Sequence, residues 1–140
     1  MKKRLVAAAA LVWLAVLLRI TVFRNGCFSH GLLSGRLEWD AFAYYAELAQ
    51  RGNWRYFTYL FVGNLIWFAP AGLLVRLREG RLWQAALAGF LLSLAVETGQ
   101  FVLGSGVSEL DDLILNTAGA LLGFGLASAG FRLLRRMDRS

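Results

Sequence analysis

Two polar side chains, Glu97 and Gln100, lie within the apolar stretch 82–103, and the next apolar stretch, 110–131, opens on two aspartates. A carboxylate inside a membrane span costs about 2.5–3.5 kcal/mol and usually marks function. Two carboxyl groups in a partly apolar site shift each other's proton affinity, which suits acid–base chemistry. We therefore predict Glu97 and Asp112 to be the ionisable, catalytic pair.

Helical spacing places further polar residues on the same faces as small residues, which let membrane helices approach closely. The small-residue faces are therefore expected to be buried and to bring the polar groups together at one depth, with Asp111 and Glu109 at the rim. The three faces are Asn64–Phe68–Gly72, Gly89–Ser93–Glu97–Gln100 and Asp112–Asn116–Gly119–Gly123. The predicted ligand-binding residues are Asn64, Gln100, Asp111 and Asn116.

A purely structural role is the alternative. Asn and Gln side chains hydrogen-bond between membrane helices at about 0.6–2 kcal/mol per contact. Asp111 and Asp112 would be stabilised by about 0.3–1 kcal/mol at a helix N-terminus. This alternative accounts for the aspartates and not for Glu97. Carboxyl and amide oxygens also suit a divalent metal, so the sequence leaves the cofactor open.

Composition predicts the elements that position these residues. The 140 residues are 58% hydrophobic, against about 45–50% in soluble domains. We predict a single all-α membrane domain, 1–140, in which an amphipathic helix at the membrane surface, about 37–51, lies between the first and second of four transmembrane helices. A capping segment over the bundle is the alternative for that region. The predicted spans are 5–23, 56–75, 82–103 and 110–131.

The formal charge of +6 is interpreted as a topology signal, because Lys and Arg collect in short cytoplasmic loops. Ten of the 15 basic residues lie at the N-terminus, in the turn 76–81 and in the tail after residue 131. Both termini are therefore expected in the cytoplasm. Segment 24–55 and loop 104–109 would then face outward.

Other classes of function find little support in the sequence. Nucleic acid is not expected as a partner, because the sequence contains no recognisable nucleic-acid-binding module. Cys27 and His30 are each the sole residue of their type, which excludes an intramolecular disulfide. Transport of a small solute would need polar residues in the inner halves of the spans, where Leu74, Leu87 and Leu126 stand instead.

Three motifs carry a resemblance to the VanZ-like family. They are "GNLIWFAPAGLL", "SLAVETGQ" and "SELDDLILNTAGALLG", which supply Asn64, Phe68, Pro70 and Gly72; Glu97 and Gln100; and Asp111, Asp112, Asn116, Gly119 and Gly123. "RITVFRN" at 19–25 is also similar to the end of the family's first helix. Segment 24–55 departs from the family pattern, because the Pro-Phe pair common there is missing.

The resemblance implies a multi-pass protein of the bacterial cytoplasmic membrane, in a family linked to low-level resistance to teicoplanin, a glycopeptide antibiotic. We expect the polar cluster to engage an envelope lipid or a lipid-linked peptidoglycan precursor at the outer face. A non-catalytic assembly partner, with the cluster holding the helices together and 24–55 as contact surface, is the alternative. The sequence leaves the substrate, the reaction and the oligomeric state undecided.

Overall fold

The computed structural model describes residues 2–23 and 31–138. Cys27 and His30, and the "RN" of the "RITVFRN" motif, lie outside these residues. Within them the chain forms five helices and two short strands: α1 (Lys2–Ile20), β1 (Arg36–Glu38), α2 (Ala43–Gln50), α3 (Trp54–Leu77), α4 (Leu82–Leu103), β2 (Val107–Glu109) and α5 (Leu110–Met137). The prediction of a mainly helical protein is confirmed.

Among the described residues, α3, α4 and α5 are long and apolar enough to cross a membrane. These helices contain the predicted spans 56–75, 82–103 and 110–131. Capping residues mark two of their ends. At the start of α3 the Asn53 side chain accepts a hydrogen bond from the Tyr56 amide, and at the end of α4 Gly104 adopts a left-handed conformation (φ 57°). The predicted first span, 5–23, is a helix only to Ile20. Any 18 consecutive residues of α1 include three basic residues, Lys3, Arg4 and Arg19. Helix α1 is therefore not among the helices that are apolar enough to cross a membrane, and the predicted first span is not confirmed.

Helices α3 and α5 run parallel and touch through glycines. A Cβ atom on Gly72 would overlap the carbonyl oxygen of Ala120, and one on Gly123 would overlap the carbonyl oxygen of Ala69. Gly119 likewise faces the backbone of Leu65. The pair Gly119–Gly123 therefore packs within the chain, against α3.

The two remaining long helices flank this pair. Helix α4 runs antiparallel to α5, with Gly89 facing Ala120. Helix α1 rests on α3 and α4 through a buried cluster of Leu17, Val22, Phe68 and Val96. The indole N–H of Trp13 also donates to the backbone carbonyl of Trp67, at 2.9 Å.

The predicted helix over 37–51 is wrong in its first six residues, because the helix in this segment covers only Ala43–Gln50. Phe42 has a left-handed backbone (φ 61°), so helix α2 begins only at Ala43. Residues 36–38 are extended instead and pair in parallel with 107–109. Helix α2 buries Tyr45 and Leu48 and packs against α3.

Candidate functional site

A chain of hydrogen bonds, here called the polar layer, links polar residues of α3, α4 and α5. The Asn64 amide donates to the carboxylate of Asp112, at 2.5 Å. The Ser93 hydroxyl donates to the backbone carbonyl of Asp112, at 3.3 Å, and accepts from the amide of Asn116, at 2.9 Å. Ser93 and Asn116 are fully buried. The polar layer thus joins all three helices and includes Asn64, Asp112 and Asn116 of the predicted site.

Glu97 lies one turn beyond Ser93 on α4, and its carboxyl group is only partly satisfied. The side chain is 5% exposed. Its Oε2 accepts the backbone N–H of Glu109, at 3.0 Å, whereas its Oε1 is buried and has no hydrogen-bond partner among the described residues. Buried carboxyl oxygens are normally paired, so Oε1 is a candidate acceptor for a donor outside the described residues.

The parallel pair of β1 and β2, here called the β clip, covers this end of α4. It is anchored by the amides of Leu33 and Gly35, which donate to the carbonyls of Val102 and Phe101 at 2.9 and 3.1 Å. These bonds satisfy carbonyls that the last turn of a helix leaves free. A Cβ on Gly35 would overlap the Cα of Phe101, so glycine is what allows this approach.

Between the β clip and helices α4 and α5 lies an open groove of about 200 Å³, here called the carboxyl groove. Glu97 lines it, together with mostly apolar side chains. The lining residues are Leu37, Glu38, Trp39, Leu94, Glu97, Thr98, Phe101, Ser108, Glu109, Leu110 and Leu113. The Ser108 hydroxyl donates to the backbone carbonyl of Glu97, at 2.7 Å, and fixes the clip to α4 at this point.

Tyr45 lies beside the polar layer and was not predicted to. Its ring packs edge-on against Phe57 and Phe61, at 5.3 and 6.1 Å between centroids. Burial and the neighbouring carboxylate of Asp112 raise the pKa of the Tyr45 phenol, which also interacts with the Asn64 side chain. The hydroxyl therefore stays protonated even in alkaline solution. The helical spacing of Tyr45 and Leu48 could have predicted that both side chains are buried. The sequence does not indicate which helix they pack against.

Two predicted binding residues lie apart from the hydrogen bonds described above. Gln100 packs beside Gly106, and its buried Oε1 has no partner among the described residues. Asp111 was expected at the rim but is 3% exposed, more buried than Asp112. Within residues 2–23 and 31–138, no three His, Cys, Asp or Glu side chains are grouped closely enough to hold a metal ion.

The family model for VanZ/LLP1 matches residues 5–134. The chain belongs to the VanZ/LLP1 family. The match covers α1 to α5 and confirms the resemblance carried by the three motifs. No curated protein and no solved structure matches the chain.

In this VanZ/LLP1 chain, the two carboxyl groups of the predicted catalytic pair have different surroundings. Asp112 is held by Asn64 and is partly buried, so it serves well as a fixed acceptor. Glu97 is more deeply buried, borders the carboxyl groove and keeps one oxygen without a partner among the described residues. A ligand in the groove would therefore meet Glu97 first, with Asp112 and its partners behind it.

Proposed function

We propose that this chain acts at the outer face of the bacterial cytoplasmic membrane on an envelope lipid or a lipid-linked peptidoglycan precursor, and that it gives low-level teicoplanin resistance. The observation that carries the proposal is the buried side chain of Glu97, which lines an open, mostly apolar groove and has one carboxyl oxygen without a partner among the described residues. A ligand with a polar head and an apolar chain fits this site, because its head could contact the carboxyl group and its chain could contact the apolar lining.

The proposed topology has four spans, with α1 as the first and both termini in the cytoplasm. The Arg76 side chain bonds to Ser128, at 3.1 Å, and lies over the ring of Phe131, so the basic ends of α3 and α5 are at the same end of the bundle. The carboxyl groove is at the opposite end, beside Glu97 and the β clip. Basic ends favour the cytoplasm, which supports an outward-facing groove.

Within this site, we assign Glu97 to direct contact with the ligand and Asp112 to the second ionisable role. Asn64 and Asn116 would position the pair through the polar layer, and Gln100 and Asp111 would complete its surroundings. If a reaction occurs, acid–base chemistry at Glu97 is the kind that this arrangement supports best. The lining of the groove contains further carboxyl groups and the hydroxyls of Thr98 and Ser108 for such a role.

The test compares wild type, Glu97→Gln and Glu79→Gln at matched levels in a glycopeptide-sensitive bacterium. Glu79 lies in the turn between α3 and α4, so Glu79→Gln removes the same charge far from the groove. In Glu97→Gln the new amide oxygen can still accept the backbone N–H of Glu109, so the fold should persist. We expect teicoplanin protection with wild type and with Glu79→Gln, and none with Glu97→Gln, whose melting temperature in detergent should be unchanged or raised.

Full protection by Glu97→Gln would contradict the proposal. Loss of protection together with a lower melting temperature would instead assign Glu97 to holding the bundle. If wild type gives no protection either, the proposed resistance role is wrong for this chain. These outcomes separate chemistry or binding at Glu97 from a structural role.

The second candidate is a non-catalytic assembly partner, favoured by the internal hydrogen bonds of the polar layer. Asn64, Ser93 and Asn116 all bond within the chain, as residues that hold helices together would. On this alternative a partner would contact Trp39, which is 72% exposed, and not Tyr45, which is 4% exposed. It predicts that Trp39→Ala abolishes protection while Glu97→Gln does not.

A further inference from the structure

The carboxyl groove continues into an apolar furrow on the surface of α4. The furrow is lined by Leu91, Leu94, Ala95, Thr98, Gly99, Val102 and Leu103 and is here called the α4 furrow. Leu94 and Thr98 line both the groove and the furrow. Leu91 and Leu94 are 52% and 41% exposed on a helix that can span a membrane, so the furrow would lie against lipid chains.

Glu97 sets the charge that the polar end of a ligand must carry. Its Oε1 is buried with no partner among the described residues, and a buried carboxylate is stabilised by a nearby positive charge. Glu38 and Glu109 also line the groove, and its described lining includes no Lys, Arg or His. A head group that carries only anionic groups would be repelled there, whereas a head group with a cationic donor would be attracted through that donor.

We propose that the carboxyl groove binds the head of a membrane lipid that carries a primary ammonium group, while one acyl chain lies in the α4 furrow. The ammonium would donate to Glu97 Oε1 in a charge-assisted hydrogen bond, the stronger class of such bonds. The proposal deepens the proposed function and rests on it for the lipid as ligand. It names the class of lipid: an aminolipid such as phosphatidylethanolamine.

The test measures lipid binding to the purified full chain in detergent by native mass spectrometry. The probes are phosphatidylethanolamine, phosphatidylcholine and phosphatidylglycerol with identical dioleoyl chains. Phosphatidylcholine keeps the positive charge and has no N–H donor, and phosphatidylglycerol offers hydroxyl donors on an anionic head. We expect about tenfold tighter binding of phosphatidylethanolamine than of either, the size of one hydrogen bond to a charged group.

Two pairs of variants locate the binding. Glu97→Gln should reduce the preference to about twofold or less, because its side-chain amide lacks the negative charge that attracts the ammonium, while Glu79→Gln should keep it. Leu94→Trp should weaken binding of all three lipids by filling the furrow. Leu87→Trp changes a similarly exposed leucine of α4 outside the groove and the furrow, and should bind as wild type does.

Equal binding of phosphatidylethanolamine and phosphatidylcholine by wild type would overturn the proposal, as would a preference that survives Glu97→Gln. The teicoplanin assay distinguishes this failure from failure of the proposed function. Protection that depends on Glu97 without lipid selectivity would refute the aminolipid alone. Lipid selectivity that depends on Glu97 without protection would refute the resistance role and leave the aminolipid site standing.

Discussion

The α3–α5 interface and the carboxyl groove are two regions of one small bundle with opposite construction. At the interface, glycines bring backbones together so closely that a single methyl group on Gly72 or Gly123 would overlap a carbonyl oxygen of the facing helix. At the groove, two three-residue strands and a few side-chain bonds leave an open space beside a half-satisfied carboxyl group. The first region is closed by packing, and the second is left open.

This difference predicts that the stability of the bundle depends mainly on the α3–α5 interface. Membrane helices gain little from burying apolar surface against each other, so close packing and interhelical hydrogen bonds hold them together. The α3–α5 interface provides the packing, and the polar layer provides hydrogen bonds beside it. The groove contributes less to stability because it is an open space beside two three-residue strands. We therefore expect substitutions at the interface to lower stability, and substitutions at the groove to change ligand binding with little effect on stability.

The largest expected effect is at the interface. Gly123→Ala should lower the free energy of unfolding by about 3 kcal/mol or more, because its Cβ would overlap the backbone of Ala69. Gly125→Ala is the matched control on α5, since a Cβ there meets no atom within 4 Å. Thermal unfolding in detergent measures both. A Gly123→Ala protein as stable as Gly125→Ala would contradict the packing described for this interface.

The next effect is expected in the polar layer. Asn116→Ala removes the hydrogen bond to Ser93 from a fully buried position and should cost about 2 kcal/mol. Thr117→Ala is the control on the same helix, because the Thr117 hydroxyl bonds to the carbonyl of Leu113 within its own helix. Chemical unfolding should show the larger loss for Asn116→Ala; equal losses would show that the interhelical bond adds nothing.

Gly35→Ala tests the groove from the side of the β clip. A Cβ at Gly35 would overlap Phe101, so the clip should detach from α4. We expect a loss of about 1 kcal/mol in global stability, since only a local unit opens, with faster amide hydrogen exchange at residues 33–38. In Gly63→Ala, the control, the added Cβ faces open space. Unchanged exchange in Gly35→Ala would show that the clip tolerates the shift.

The smallest expected effect is at Tyr45. Tyr45→Phe keeps the ring contacts with Phe57 and Phe61 and removes the hydroxyl that interacts with Asn64. We expect a loss of about 0.5–1.5 kcal/mol. Tyr44→Phe, on the exposed side of the same helix, should change stability by less. If both variants unfold alike, the Tyr45 hydroxyl adds nothing to the polar layer.

The two regions also differ in how far sequence could predict them. Small residues spaced by four, such as Gly119 and Gly123, lie within a continuous helix, so helical geometry alone placed them on one face. The same geometry aligned Ser93 with Glu97 and Asp112 with Asn116. Hydrophobic length located the three apolar helices to within a few residues, except that α5 continues to Met137 through Leu and Arg, which favour helix.

The groove could not be predicted in this way. The pairing of 36–38 with 107–109 joins two segments of three residues each, too short for an alternating pattern to stand out. Phe42 ends the helical spacing by adopting a left-handed backbone, which aromatic residues seldom do. Tyr45 reaches the polar layer only because α2 folds back onto α3. Each of these features depends on tertiary contacts that one sequence does not display.

The parallel pairing of the β clip also bears on the order of folding. Arg36 pairs with Val107, and α2, α3 and α4 lie between them in the chain. Closing so long a loop costs entropy that a few hydrogen bonds offset poorly, so the clip should form only after α3 and α4 have packed. We then expect the carboxyl groove to be the last part of the protein to be completed during biosynthesis and the first to come apart under stress.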